Sequence, residues 1–236
     1  MHDTSQATQL QALLDLQWRP IAVAFQDNAP TDLPRIGSPG PSGCTYWKLA
    51  AEGQMFYTEA ADHYNCPIGS FTHGIDLPPT QAQELEGLVG TMIGLQYIRQ
   101  EEIPAIPRRD APFHVALYAP LADAPFDVDV VLVRGNAKQM MLIAEAAGAA
   151  GLSGDGALMG RPTCAMIPAA MQDGQVTTSL GCIGNRVYTG LGDDEFYAAI
   201  PAATLAPLLD KLVTIVNANH ELENFHRARM AGNSPA

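Results

Sequence analysis

Four cysteines, Cys44, Cys66, Cys164 and Cys182, are the residues of this chain best suited to hold a reactive group. Four thiolates form a soft donor set that suits either tetrahedral zinc or a [4Fe–4S] cluster. They stand 22, 98 and 18 residues apart, so no local metal knuckle exists and only the fold can gather them. Their neighbours suit a bulky group: Gly43 precedes Cys44, Pro67 follows Cys66, Thr163 precedes Cys164, and Gly181 and Gly184 lie about Cys182. Glycine lets the backbone approach a cofactor closely, and proline after a ligand cysteine turns the chain away. The competing reading is that these cysteines are small buried hydrophobes.

A repeated pattern surrounds them. NCPIGSFTHG at residues 65–74 and GCIGNRVYTG at 181–190 each run from a cysteine through Ile-Gly to a closing glycine. Upstream, Cys44 precedes Ala50, Ala51, Gly53 and Gln54, and Cys164 precedes Ala169, Ala170, Gly174 and Gln175. The offsets are 120 for the first cysteines, 121 for the intervening glycines and 116 for the second cysteines. Such colinear landmarks predict an internal duplication, about 20–100 and about 128–225, within a single domain spanning 1–236. The two halves are expected to pack about a pseudo-two-fold axis and bring the cysteines into one site. Gly69, Gly74, Gly184 and Gly190 are then expected to let loops close over the cofactor.

Several polar residues are candidates for the remaining chemistry. Arg186 stands in the second glycine-bearing segment, where a guanidinium can clamp a small anion bidentately. His73 and His63 flank Cys66 and are candidate ligands or proton carriers. Glu195, with Asp193 and Asp194, falls in a stretch without counterpart in the first half and is a candidate acid or base. Lys48 and Glu52, four apart, read as a surface pair. GSPGPSG and GAAGLSGDG lack the context of a phosphate-binding loop, and the methionine-rich KQMMLIAEAAGAAG reads as a packed helix.

The elements that must position these residues alternate along the chain. Helical spacing covers residues 5–17, a short buried strand 20–25, a loop 26–43, a helix about 45–51 and a strand 54–58. An amphipathic helix is predicted over 80–99, then a proline-rich connector, strands at 113–118 and 128–133, a helix at 137–150, a glycine-rich loop and a long helix from 203 to about 230. The fold class expected is α/β or α+β. With 236 residues, 47% hydrophobic and 16% charged, the composition is that of a globular protein able to bury a sizeable core. A net charge of −12 excludes a nucleic-acid-wrapping role. No stretch approaches the roughly 20 apolar residues of a membrane span, and MHDTSQATQL lacks the pattern of a secretory signal. A cytoplasmic location, with reduced thiols and no membrane partner, is therefore expected.

PIAVAFQ followed by GCTYWKLAAEGQMFYT, the cysteine–glycine segment, DVDVVLVRGNAKQMML and SLGCIGNRVYTGLGDDEFYAAIP together resemble the archaeal conserved region family, domain of unknown function 169. The resemblance runs from about Leu14 to Leu212, and its last block is the most specific. It implies members in archaea and many bacteria, often anaerobes, and no settled activity. Cys44, Cys66, Cys182, Gly184, Arg186 and Pro201 match positions expected of that family, and Cys164 matches less closely. Four cysteine ligands would make a closed cluster suited to electron transfer or redox sensing. Three would leave one iron open for Lewis-acid chemistry on a small anionic substrate, with Arg186 holding it and His73 or Glu195 moving protons. The leading expectation is thus an iron–sulfur protein, a candidate homodimer, whose partner is a small anion or a redox protein. The alternatives are a metal-free small-molecule-binding module and a zinc-stapled structural protein.

Overall fold

The computed structural model describes residues 4–232, with residues 154–159 described by their backbone only. The first three residues of the N-terminal stretch read above lie outside it. The chain runs α1 (Thr4–Leu14), β1 (Ile21–Gln26), α2 (Gly43–Ala51), β2 (Phe56–Glu59), α3 (Pro67–His73), α4 (Pro79–Gly94) and β3 (Val115–Pro120). It continues through β4 (Val130–Asn136), α5 (Ala137–Ala149), β5 (Ser153–Met159), α6 (Met166–Asp173), β6 (Val176–Ser179), α7 (Ile183–Thr189), β7 (Glu195–Pro201) and α8 (Leu205–Met230).

All seven strands form one sheet in the order β2-β3-β1-β4-β7-β6-β5. Every neighbouring pair is antiparallel except β5 with β6. At the centre, Ile21, Ala22 and Val23 of β1 pair with Leu132, Val131 and Val130 of β4. Outward from this pair the order is β3 then β2 on one side, and β7 then β6 on the other.

The period-two alternation of a strand feeds two cores, one on each face. Ala22 and Ala24, Val131 and Val133, Leu117 and Ile200 face a core completed by α1, α5 and α8. Val23, Val130 and Leu132, Tyr118 and Tyr197 face the other, completed by Tyr46 and Trp47 of α2 and by Met166 and Ile167. Cys44 and Cys164 belong to this second core. The central strands are covered on both faces, which explains why they read as continuous apolar runs.

Three expectations are corrected. The segments after Cys66 and Cys182 are short helices, α3 and α7, rather than loops. The glycine-rich run contains β5, an edge strand beside β6. The helix expected to reach residue 99 stops at Gly94, with Gln96 just beyond at φ 57°. No helix among the described residues is long and apolar enough to cross a membrane.

Candidate functional site

Cys66 is the N-cap of α3 and Cys182 the N-cap of α7. Each helix is seven residues long and closes on a left-handed glycine, Gly74 at φ 72° and Gly190 at φ 65°. That conformation suits glycine and ends the helix. At Gly74 a Cβ would also run into the Arg109 carbonyl. These two glycines therefore shape the helices that carry the cysteines. Gly69 approaches a sulfur directly: a Cβ added there would lie 2.8 Å from Cys66 Sγ. Gly184 has open space, its nearest neighbour being Tyr188 Cε2 at 3.8 Å.

The other two cysteines sit at the starts of α2 and of the turn into α6. Ser42 caps α2, accepting from the Cys44 amide at 3.4 Å, and its hydroxyl lies 3.5 Å from Cys66 Sγ. Thr163, immediately before Cys164, accepts from the Cys182 amide at 2.5 Å. A hydroxyl beside one cysteine thus reaches the next cysteine in both places. The packing is crossed in sequence, with α2 on α7, and α3 on the Cys164 turn as well as on α2. All four cysteines are free, Cys44 and Cys164 buried, Cys66 and Cys182 partly exposed.

Electrostatics links the four. Burial pushes the Cys44 thiol up to about 12, with charge on Cys66 and Cys182 adding to the effect. Burial raises Cys164 well above the ordinary thiol range, and Cys44, Cys66 and Cys182 raise it further. Both are neutral thiols in the free chain, and a bound cation would have to displace their protons. Among the described residues, no three His, Cys, Asp or Glu side chains are grouped so as to hold a metal ion. A single tetrahedral zinc with bonds of about 2.3 Å needs its sulfurs nearly in contact, whereas a four-iron cluster takes one thiolate at each of its corners.

Two histidines lie behind the cysteines. His63 is buried with Nε2 2.8 Å from Thr58 Oγ1, and its Nδ1 has no partner. His73 donates from Nδ1 to the Gly69 carbonyl at 2.9 Å, leaving Nε2 unpartnered. The rings are 6.0 Å apart. Burial lowers their pKa values to about 3 and about 4, so both are neutral imidazoles near neutral pH. The turn holding His63 is tied down by Arg35, which grips the buried Asp62 carboxylate with two bonds of 3.1 Å.

Arg186 and Glu195 are placed in the scaffold. Arg186 donates to the carbonyls of Gly192 and Leu180, both at 2.6 Å, pinning the segment between α7 and β7. Glu195 begins β7, where it pairs with the buried Arg134 and accepts from the Gly192 amide at 2.7 Å and Trp18 Nε1 at 3.1 Å. Arg134 also donates to the Gly190 carbonyl at 2.7 Å, fixing the end of α7. Arg186 and Glu195 thus make their contacts within the chain. Lys48 and Glu52 form the expected half-exposed pair at 3.5 Å.

Three neighbours of the cysteines lie beyond the sequence reading, Ser42, Thr72 and Asn185, and Thr163 is marked there only as the residue before Cys164. Thr72 favours the charged form of Cys164, and Asn185 that of Cys44. Neither amide atom of the buried Asn185 is in a regular hydrogen bond. Hydroxyl residues one or two positions before Cys164 and Cys44 were the available signal. Asn185 could have been found only by placing Cys182 as the cap of a helix, three residues before it.

The chain belongs to the family described as uncharacterised ArCR, domain of unknown function 169, which matches residues 9–211. No curated protein and no solved structure matches it.

Proposed function

We propose that this member of the ArCR family is an iron–sulfur protein in which Cys44, Cys66, Cys164 and Cys182 hold a [4Fe–4S] cluster at the seam of two duplicated halves. The observation that carries this reading is the crossed packing of the four cysteine-bearing elements, which gathers residues 22, 98 and 18 apart in sequence into one electrostatically coupled set. Duplication is supported by the sheet order, in which β1, β3 and β2 mirror β4, β7 and β6 about the central pair. It is supported again by α3 and α7, each running from a cysteine cap through seven residues to a left-handed glycine.

The donor set and its cradle fit such a group. Four thiols are the soft ligands it requires. The Cys66 sulfur rests where only glycine leaves room, at Gly69. Buried Asn185 has an amide to spare beside Cys44. When bound, a closed cluster supplies one-electron transfer, and a cluster lacking one thiolate supplies a Lewis-acidic iron. The chain would hold it with sulfur from both halves, exclude water with Trp47 and Tyr197, packed 5.4 Å apart in the same core, and leave only the Cys66 and Cys182 side partly open. Arg186 and Glu195 serve this site by bracing α7, and neutral His73 keeps an unpartnered Nε2 buried at the end of α3.

Iron and acid-labile sulfide, measured on protein purified without oxygen, test the reading. About four of each per chain is expected, with the broad visible absorption of thiolate-bound iron. Serine replacement of each cysteine should then lower the content or alter the spectrum. Neither metal nor sulfide after anaerobic reconstitution would overturn it.

A further inference from the structure

Helix α4 is amphipathic, yet none of its residues is fully buried. Its apolar stripe, Leu85, Val89 and Met92, faces a cavity of about 500 Å³ whose other walls include Phe71 of α3, Ile103 and Ile106. The volume falls within the roughly 300–1,000 Å³ range of small-molecule sites. A hydrocarbon-lined space of this size, walled by a helix that packs on no core, is a site for an apolar molecule.

One cation stands in its wall. The Arg161 guanidinium is stacked 4.3 Å from the Tyr97 ring centroid and makes no hydrogen bond to the protein among the described residues. Its ion-pair partner, Glu102, is 3.8 Å away, beyond hydrogen-bond distance, and is also bonded to Arg99 at 2.9 Å. Arg161 is thereby held in orientation while its donors remain available for an anionic group that offers two oxygens. Glu86 and Glu102 also border the space, so a second negative charge on the ligand would be repelled. Cys182 lines the same cavity, which puts the occupant beside the cysteine site.

We propose that this cavity binds an apolar monoanion, a hydrocarbon or aromatic body carrying one carboxylate or sulfonate that Arg161 receives. The site does not depend on iron, since no cysteine is needed to bind the ligand. Its position gives the occupant a second effect, which is to cover Cys182 from solvent.

The full-length, metal-free chain can be titrated with anilinonaphthalene sulfonate and with the uncharged phenylnaphthylamine, followed by fluorescence. Saturable binding of both is expected, with the sulfonate tighter. Arg161→Gln should weaken the sulfonate by about tenfold or more, the scale of a lost charge-assisted pair, and leave the uncharged probe within about twofold. Val89→Trp, or Met92→Trp as a second filler, should weaken both. Saturating sulfonate should slow alkylation of Cys182 by iodoacetamide, mapped on peptides. No saturable binding, an equal effect of Arg161→Gln on both probes, or an unprotected Cys182 would each overturn the proposal. Iron content bears on none of these readouts, so failure here and failure of the iron–sulfur reading are told apart.

Discussion

Gly69→Ala is the most incisive perturbation of the cysteine site, because it moves one sulfur without changing any ligand. The new methyl would stand 2.8 Å from Cys66 Sγ, against ordinary contact distances of about 3.5–4.0 Å for carbon. The sulfur must therefore retreat by about 0.7 Å or swing to another rotamer. In the metal-free protein the cost is that of modest overpacking, about 1–3 kcal/mol, less about 0.5–1 kcal/mol returned by alanine's better helix propensity. A net loss of about 1 kcal/mol lowers the melting temperature of a chain this size by about 2–4 °C. Loading should suffer as well, because a ligand sulfur has no freedom to retreat from its iron, and at least a tenfold loss of affinity is expected, about 1.4 kcal/mol. Gly184→Ala is the control: it also lies inside a cysteine-capped helix, but with nothing nearer than 3.8 Å, and should load fully and melt slightly higher. The assay is iron and sulfide content after anaerobic reconstitution, beside thermal melts of both forms. A Gly69→Ala protein that melts a few degrees low yet carries wild-type iron would refute Cys66 as a ligand.

Three further outcomes are expected. Asn185→Leu removes a buried amide that makes no regular hydrogen bond and has the Cys44 thiol beside it; it should raise metal-free stability by about 1–2 kcal/mol, seen in denaturant midpoints, while lowering iron retention. Thr163→Val keeps the shape but orphans the Cys182 amide, and should cost about 1–3 kcal/mol, with faster amide exchange at the start of α7. Burial works to raise the Glu195 pKa, but hydrogen bonds from Arg134, Gly192 and Trp18 prevail and hold it below the usual range. The stability it supplies is therefore fully present above the unfolded glutamate value of about 4.3 and is lost as pH falls through the lower folded value. Glu195→Gln should lower the neutral-pH melting temperature by about 4–8 °C, for about 2 kcal/mol left on a buried Arg134, and flatten the acid limb of the melting profile.

Much of the fold was legible because its central strands and long helices carry their period in the sequence. The apolar runs of β1, β3 and β4 are buried on both faces, so they read as strands despite lacking alternation. The repeat was legible from cysteines and glycines because those are the residues that local geometry constrains: caps and left-handed closures tolerate few substitutes. What escaped was whatever depends on contacts between distant segments. Seven-residue helices such as α3 and α7 hold barely two turns, too few for a 3.6-residue pattern to emerge, and their ends are marked by cysteine rather than the usual serine or aspartate. β5 was hidden by glycines in GAAGLSGDG, since an edge strand needs only one partner. Arg186 and Glu195 were marked as chemistry because charge near a cysteine reads alike whether it meets substrate or backbone. Only the carbonyls of Leu180 and Gly192 and the guanidinium of Arg134 separate the two cases.

That separation bears on the site itself. Were the cysteines mere filler, alanine or valine would pack as well in an apolar core. The chain instead carries a costly arrangement: two buried thiols that raise one another's cost of ionising, an amide without a regular hydrogen bond beside one, and a glycine where a side chain would displace a third sulfur. Each of these lowers the stability of the metal-free chain, and each becomes useful once a soft cation takes the sulfurs. On the iron–sulfur reading proposed above, that strain is what the bound group would relieve, and the glycine at position 69 is the residue through which the reading is most directly tested.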